Sequence, residues 1–502
     1  MQSPNILLIV CDQMTPFLTG AYGHPVVKTP NMERLAREGV LFENAYSPCP
    51  VCAPARACMM SGTYTSVNGV FDNGAVLPSD MPTFAHYLTN AGYDTVLSGK
   101  MHFVGPDQLH GFRKRLTTDI YGCDFRWVKD SWIQIKESKG QNWQEIMGAR
   151  TNFHSKGYIG DAVKVAEWHH HLSYDEETHL RSLEYLHAVG RDQNRQPFLL
   201  CASYHHPHDP FWPPQEYWDL YENEDIEIPE FPEDLEEKCS MMDNWLNSYH
   251  GVKENDLRDP DSLRRMRRAY YGLVTYIDDK IGELVASLEE NGLTENTIVI
   301  FLSDHGDMLC EKEMVQKRTF YEWSSRVPFI IRMPDGTGAG TRSATPVSLI
   351  DLLPTLCDFA GVEDRMPCNG QSLLGLIDGS DREERVVFSE THSEAVGVPC
   401  FMVRKGQFKY IYIHGYEDQL FDLESDPGEW NNLSGNPDFS GRAAELRELV
   451  LDNFDPDRIA DEVLSSLRRR ELIRETMNAN KTFWDYAATF DPRRNSLEQY
   501  FH

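Results

Sequence analysis

Close to its N-terminus the chain runs Asn5-Ile6-Leu7-Leu8-Ile9-Val10-Cys11-Asp12-Gln13. Residues 6–10 are all apolar, and an unbroken apolar run of this length is typical of a strand that a parallel sheet buries on both faces. A carboxylate and a carboxamide, Asp12 and Gln13, follow the run almost directly. The pattern therefore predicts a buried strand over 5–10 with polar chemistry just beyond it.

Similar apolar runs alternate with helical patterns through residues 1–384, which predicts an α/β domain with a central, mostly parallel sheet flanked by helices. The further expected strands cover 95–97, 197–203, 297–302 and 327–332. The expected helices cover 30–39, 83–90, 263–290 and 349–359.

The pattern changes at residue 385. Short alternating runs at 386–388, 401–403 and 408–412 are typical of antiparallel strands, and 442–451 has a helical pattern. We therefore expect a smaller antiparallel α+β subdomain over 385–455. The charged and then aromatic segment 456–502 is expected to be a helical or extended tail, either packed on the surface or engaged in subunit contact.

Composition limits the classes of function that fit the chain. Apolar residues make up 41% of it, and the mean hydropathy of −0.49 describes a soluble globular protein. The formal net charge of −30 argues against nucleic acid as a partner, because the phosphate backbone would be repelled. The N-terminus lacks a signal peptide pattern and no apolar run reaches membrane-spanning length, so we expect a cytoplasmic bacterial protein without membrane contact. The eleven cysteines are mostly scattered, which fits reduced thiols.

Residues with ionisable or metal-binding side chains follow four of the expected strands. They are Asp12-Gln13, Lys100-Met101-His102, His205-His206-Pro207-His208-Asp209 and Ser303-Asp304-His305-Gly306-Asp307. Ligands of open α/β sheets bind at the carboxyl ends of the strands, so these side chains are predicted to converge on one crevice.

A metal site is predicted from four of these residues. Asp12, Gln13, Asp304 and His305 combine hard oxygen donors with one imidazole, which suits a divalent cation such as Ca²⁺, Mg²⁺ or Mn²⁺. A simpler role for Asp12 is to cap the helix after its strand, but its occurrence together with Asp304, His305 and Cys52 favours metal binding. A zinc site at Cys49-Pro50-Val51-Cys52 is disfavoured because the chain has no second Cys-x-x-Cys.

Cations are also expected in the crevice. Arg56 and Lys100 would attract an anionic ester, and His102 and His208 are candidates to bind it or to protonate its leaving oxygen. The run His169-His170-His171 is interpreted as a solvated helix face, since consecutive residues cannot easily face one ion.

Cys52 opens the stretch Cys52-Ala53-Pro54-Ala55-Arg56 and is the one cysteine of the chain followed by x-Pro-x-Arg. This spacing is the recognition signal for enzymatic oxidation of cysteine to formylglycine. The hydrated aldehyde carries two hydroxyls on one carbon, so one can attack an ester and the other can later expel the product. Without the modification, Cys52 is a loop cysteine beside a proline.

The Cys52 motif, Asp12-Gln13 and Ser303-Asp304-His305-Gly306 together resemble the type I sulfatases of the alkaline phosphatase superfamily. Residues 71–73, 98–112 and 115–121 are similar to the bacterial choline sulfatases within that family. The resemblance implies an alkaline-phosphatase-like fold, a small-molecule sulfate ester as substrate, and a formylglycine-generating enzyme as partner during maturation. A homo-oligomer, dimer or tetramer, is also expected.

The resemblance further implies the roles of individual residues. The metal would be held by Asp12, Gln13, Asp304, His305 and the formylglycine at Cys52, with Arg56 stabilising the aldehyde hydrate. The sulfate would be surrounded by Asn73, Lys100, His102, His208 and Lys317, with His208 or Lys317 as the acid. A quaternary ammonium would be held by Trp127, with charge from Glu390 or Glu394.

The sequence thus predicts a metal-dependent sulfuric ester hydrolase of the choline-sulfatase type. A carbohydrate or aryl sulfatase, and a phosphonate monoester or phosphodiester hydrolase, are alternatives on the same framework. A different class is a non-catalytic, metal-dependent binding protein, which predicts an unmodified thiol at Cys52.

Overall fold

The computed structural model describes residues 3–148, 158–254, 256–381 and 384–481. Its strands are β1 Asn5–Asp12, β2 Val40–Phe42, β3 Ala45–Tyr46, β4 Asp94–Gly99, β5 Lys114–Arg115, β6 Phe198–Pro207, β7 Thr297–Ser303, β8 Arg326–Val327, β9 Phe329–Arg332, β10 Thr341–Ser343, β11 Val347–Ser348, β12 Val386–Thr391, β13 Cys400–Lys405, β14 Phe408–Ile413 and β15 Gln419–Asp422.

The α-helices in the same ranges are α1 Pro30–Glu38, α2 Cys52–Ser61, α3 Thr65–Asn68, α4 Phe84–Asn90, α5 Asp130–Glu137, α6 Trp143–Gly148, α7 His170–Arg191, α8 Gln215–Asp219, α9 Leu235–Lys238, α10 Met241–His250, α11 Pro260–Glu290, α12 Glu322–Ser325, α13 Leu352–Phe359, α14 Leu374–Ile377, α15 Ser440–Asn453 and α16 Pro456–Asn480. None of the described helices combines the length and the apolar character that crossing a membrane requires.

An eight-stranded sheet forms the centre of the molecule, in the order β10-β2-β9-β7-β1-β6-β4-β5. β1 pairs in parallel with both β6 and β7, and β6 pairs in parallel with β4. β9 is the exception, because it runs antiparallel to β2 and β7. The predicted α/β class with a mostly parallel central sheet is confirmed.

β1 explains why the opening apolar run is continuous. Ile6, Leu8 and Val10 belong to the hydrophobic cluster on one face of the sheet, whereas Leu7 and Ile9 belong to the cluster on the other. Helices cover both faces, so neither set of alternating side chains reaches solvent and no position over 6–11 takes a polar residue.

β12, β13, β14 and β15 form a separate antiparallel sheet near the C-terminus, as predicted. α15 packs on this sheet, and α16 follows it along the chain. The domain bounds 385–455 and 456–502 stay a prediction, and the tail beyond residue 481 lies outside the described residues.

Candidate active site

The carboxyl ends of four neighbouring strands, β4, β6, β1 and β7, deliver the predicted residues to one place. Asp12 ends β1, Lys100 follows β4, His208 follows β6, and Asp304 and His305 follow β7. Parallel neighbours end at the same edge of a sheet, so the fold itself brings these groups together.

Four of the predicted metal ligands form one buried cluster. The ligand atoms of Asp12, Cys52, Asp304 and His305 all lie within 4.8 Å of one another. The Cys52 sulfur lies 3.2 Å from His305 Nε2 and 3.7 Å from Asp12 Oδ1. This sulfur stands where a formylglycine would place its oxygens, so the oxidised site would offer two carboxylates, an imidazole and a further oxygen. That donor set fits a hard divalent cation.

Gln13, the remaining predicted ligand, is oriented by its neighbours. Its backbone N–H donates to Asp304 Oδ1 at 3.2 Å, and its side-chain NH₂ donates to Asp307 and, at 3.2 Å, to Asp209. The carboxamide oxygen is therefore the end that faces Lys317, whose ammonium donates to it. Asp307 and Asp209 were not assigned this role from the sequence.

The spacing of Cys52, Pro54 and Arg56 follows from their position in α2. Cys52 is the first helical residue, and Pro54 lies in the first turn, where its missing N–H costs nothing. Arg56 lies four residues after Cys52 and therefore on the same face of the helix. One turn of helix thus carries the nucleophile position and the main cation of the site.

Arg56 is fully buried and binds both metal-ligand carboxylates. Its Nε donates to Asp304 Oδ2 at 2.8 Å and a terminal nitrogen donates to Asp12 Oδ2 at 3.0 Å. The other terminal nitrogen donates to the Lys100 carbonyl at 2.6 Å and to the Ser203 hydroxyl at 2.8 Å. Burial alone would lower the pKa of Arg56, but the two carboxylates raise it, so the guanidinium stays charged. The Ser203 contact could not be read from the sequence.

Lys100 reaches the cluster because Gly99 allows a close approach of β4 and β6. Gly99 has a φ of +101°, and a Cβ there would lie 1.9 Å from the Ser203 carbonyl oxygen, which accepts the Lys100 N–H at 2.9 Å. The Lys100 ammonium then lies 2.6 Å from Asp12 Oδ2 and 4.5 Å from the centre of the Tyr121 ring. A side chain at residue 99 would displace this cation.

The cations set the charge state of the cluster. Burial would raise the pKa of Asp12, but Lys100 foremost holds it well below its usual range. Burial and Asp12 would likewise raise the pKa of the Cys52 thiol, yet Lys100, Lys317 and His305 together lower it well below its usual value. The cations thus stabilise negative charge at Asp12 and Cys52, whereas burial, together with Asp12, raises the pKa of Asp304.

His208 and Lys317 form a hydrogen-bonded pair at the rim. The Nδ1–H of His208 donates to the Asp209 carbonyl at 2.7 Å, which leaves Nε2 to accept from the Lys317 ammonium at 2.7 Å. The His208 side chain is 11% exposed, whereas Lys317 is almost fully buried. In this arrangement Lys317 is the donor and His208 Nε2 is the acceptor.

An aromatic wall stands beside Lys100. The His102 ring lies 4.8 Å from that of Tyr121 and 5.8 Å from that of Trp127, and the latter two lie 5.3 Å apart. The His102 backbone N–H donates to Asp119 at 2.8 Å, which fixes the residue at a φ of 59°. Asp119 and Tyr121 had no assigned role, although both lie in the segment 115–121 that resembles the choline sulfatases.

Three of the predicted substrate-binding residues, Asn73, Glu390 and Glu394, lie at two different positions. Asn73 Oδ1 accepts the Ala53 N–H at 2.9 Å, and the Asn73 N–H donates to Glu394 at 2.7 Å, so both lie beside the start of α2. Glu394 also pairs with Arg318 at 2.7 Å. Glu390 instead accepts hydrogen bonds from the start of α3 and, within the described residues, makes none to the metal-ligand cluster.

The three consecutive histidines are not a solvated helix face, which corrects the interpretation of the sequence. The His171 ring stacks on His205 at 4.5 Å, and a ring nitrogen of His169 lies 3.0 Å from the Trp212 carbonyl oxygen. The start of α7 is packed against the end of β6, a contact between segments that the local pattern cannot reveal.

Comparison with known proteins shows which families and relatives the chain is similar to. The family model described as Sulfatase matches residues 4–362, and the one described as N-sulphoglucosamine sulphohydrolase, C-terminal, matches residues 310–454. The chain is 37% identical to the choline-sulfatase of Rhizobium meliloti, covering 99% of this chain and 95% of that one. It is 31% identical to the arylsulfatase of Clostridium perfringens, covering 89% and 94%.

Solved structures agree on the fold. The phosphonate monoester hydrolase of Agrobacterium radiobacter superposes with a TM-score of 0.69 at 24% identity, covering 89% of this chain and 95% of that one.

The matching family model and the two relatives show that the chain belongs to the sulfatase family. It is a sulfuric ester hydrolase, and members of this family in general use a divalent metal and a formylglycine made from cysteine.

Proposed function

We propose that this enzyme is a choline-sulfatase-like hydrolase that uses a formylglycine made from Cys52 and one divalent cation, with Ca²⁺ preferred over Mg²⁺ or Mn²⁺. The observation that carries the proposal is the buried cluster in which the donor atoms of Asp12, Cys52, Asp304 and His305 lie within 4.8 Å of one another. A hydrated aldehyde at Cys52 would supply the attacking hydroxyl, and a bound cation would stabilise negative charge on the sulfate.

The cations of the crevice have distinct parts in this proposal. Arg56 fixes the carboxylates and supports the hydrate, and Lys100 supplies positive charge where charge develops on the sulfate oxygens. Lys317 donates to His208 across 2.7 Å at the rim of the site, so this pair is suited to protonate the leaving alcohol. Asn73 and His102 complete the sulfate pocket.

A cationic leaving group is supported by three observations. The rings of His102, Tyr121 and Trp127 pack together beside Lys100, and aromatic rings are the groups that hold quaternary ammonium ions. A sulfate ester with a cationic leaving group has no net charge and avoids the repulsion that the net charge of −30 exerts on an anionic ester. A relative that covers nearly the whole chain bears the name choline-sulfatase.

The test is a substrate panel on protein co-expressed with a formylglycine-generating enzyme. We expect intact-mass spectrometry to show the loss of mass that accompanies conversion of thiol to aldehyde. Among choline-O-sulfate, 4-nitrophenyl sulfate, a sulfated monosaccharide and a phenyl phosphonate monoester, choline-O-sulfate should have the highest kcat/KM. Dialysis against a chelator should abolish turnover, and added Ca²⁺ should restore it.

Two cysteine variants complete the design. Cys52→Ala should abolish turnover without lowering the melting temperature, while Cys239→Ala, at a partly exposed cysteine far along the chain, should keep parental activity. Turnover by Cys52→Ala would refute the nucleophile. Good turnover of another sulfate ester without choline-O-sulfate hydrolysis would refute the choline assignment alone.

A further inference from the structure

The C-terminal helix α16 reaches the loop that carries Asn73. Two nitrogens of Arg470 bind the two oxygens of Asp72 at 2.5 and 2.8 Å, across 398 residues of sequence. The side chains are 6% and 0% exposed. We propose that Arg470 is a positioning residue for catalysis, which acts through Asp72 to fix Asn73 at the start of the nucleophile helix α2. This inference rests on the proposed function of the site.

Asp72 is held on every side by donors. Besides the two bonds from Arg470, it accepts the Gly74 N–H at 2.9 Å and the Ser393 hydroxyl at 2.8 Å. Burial would raise the pKa of Asp72, but Arg470 and these donors lower it, so the carboxylate stays ionised. A buried carboxylate of this kind is costly without its cation, so loss of Arg470 would force the 72–74 loop to rearrange.

The link from this loop to the nucleophile is short. The Ala53 N–H lies in the first turn of α2, where the helix offers no acceptor, and Asn73 Oδ1 supplies one at 2.9 Å. On its other side Asn73 is tied by its N–H to Glu394 at 2.7 Å. A shift of Asp72 would therefore move Asn73 relative to Cys52, the neighbour of Ala53.

The same helix also contacts the segment that follows Trp127. Arg474 donates to the Val128 carbonyl and, at 3.0 Å, to Asp130. A Cβ placed on Gly74 would lie 3.3 Å from both Arg470 and Trp127, so the loop is wedged between the helix and the aromatic wall. α16 thus contacts both the loop that carries Asn73 and the segment that follows Trp127.

The helix does not depend on Arg470 for its own packing. Ile459, Val463 and Leu467 are fully buried on its inner face and belong to the cluster beneath it. These apolar anchors should keep α16 docked when Arg470 is changed. Loss of the guanidinium can then be read as a change in the pocket rather than as loss of the helix.

The experiment compares Arg470→Gln and Arg470→Lys with the control Arg469→Gln on the exposed side of the same helix. We measure kcat and KM for choline-O-sulfate and 4-nitrophenyl sulfate at 25 °C, melting temperature and formylglycine occupancy. Arg470→Gln should lower kcat/KM about 10- to 100-fold in fully folded, fully modified protein, as a misplaced group of this kind does. Arg470→Lys should recover part of the loss, and Arg469→Gln should match the parent.

A double-mutant cycle with Asp72→Asn tests the route. If Arg470 acts through Asp72, Arg470→Gln should cost little more in kcat/KM once Asp72 is already changed. Parental kcat and KM in folded Arg470→Gln, or losses that multiply in the double variant, would overturn the proposal. If Arg470→Gln does not fold, parental kinetics in Arg470→Lys, which keeps the charge but not the paired bonds, would overturn it. An inactive parent would instead refute the proposed function.

Discussion

Asp307 orients the carboxamide of Gln13. It accepts a hydrogen bond from the NH₂ end, so the oxygen end is the one available to the metal-ligand cluster. Asp307 accepts from the Gln13 NH₂ with one oxygen and from the Tyr158 hydroxyl and the Leu309 N–H with the other. In Asp307→Asn, the carboxamide oxygen should keep the two donors Tyr158 and Leu309. The new NH₂ group then faces the NH₂ of Gln13. Two donors cannot pair, so the Gln13 oxygen should leave its place.

We expect Asp307→Asn to weaken Ca²⁺ binding about 10- to 100-fold, the usual effect of losing a group that orients a ligand. The measurement is the rise in melting temperature as Ca²⁺ is added to chelator-treated protein. Asp335→Asn is the matched control, because Asp335 is exposed and its hydrogen bonds are local ones with Thr337. Equal Ca²⁺ affinity in Asp307→Asn and the parent would refute the role.

At the residue scale, the sequence predicted the chemical groups of the site better than their partners. Asp12 and Asp304 could be found because they follow apolar strands, and Cys52 because its motif is local. The hydrogen bond from Arg56 to the Ser203 hydroxyl joins residues that are 147 positions apart in the chain, and no local pattern encodes such a contact. The residues that hold the ligands therefore emerged only from the fold.

Helix α1 illustrates a cap supplied by another element. Thr29 precedes the helix but makes no side-chain cap. Asp278 on α11 accepts the Asn31 and Met32 N–H groups instead, at 3.0 and 2.7 Å. The first turn of α1 is thus satisfied across the helix interface, which ties α1 to the long helix that covers one face of the sheet.

We expect Asp278→Ala to lower the free energy of unfolding by about 1–3 kcal/mol, because it leaves one buried and one partly buried N–H group without an acceptor. The measurement is the midpoint of the first transition in urea at neutral pH, with kcat followed in parallel. Glu290→Ala, at the exposed end of the same helix, should change the free energy of unfolding by no more than about 0.5 kcal/mol. A parental midpoint in Asp278→Ala would contradict the cap.

At the element scale, two predicted elements are present but their ends differ from the prediction, one for a local reason and one because of a contact far along the chain. The helix predicted over 263–290 begins three residues earlier, at Pro260 behind an Asp259 cap. The strand predicted over 197–203 continues to Pro207, since Asp175 on α7 accepts the backbone N–H groups of His205 and His206. Polar residues at a strand end suggest a loop until such a partner is known.

The molecule as a whole places three buried cations, paired in part with carboxylates, inside a strongly anionic body. Arg56, Lys100 and Lys317 are buried at the site, while the chain carries a net charge of −30. An approaching anionic ester is therefore repelled at long range before it meets the cations. Choline-O-sulfate has no net charge, because its ammonium balances its sulfate, and should be spared this repulsion.

This difference predicts opposite sensitivities to salt. Raising NaCl from about 0.01 M to about 0.15 M shortens the screening length from about 30 Å to about 8 Å. We expect kcat/KM for 4-nitrophenyl sulfate to rise about twofold or more as the repulsion is screened, while that for choline-O-sulfate changes less. Initial rates at low substrate concentration measure both, with NaCl alone varied. A fall in kcat/KM for the anionic ester would show that the buried cations, rather than the net charge of the molecule, govern its capture.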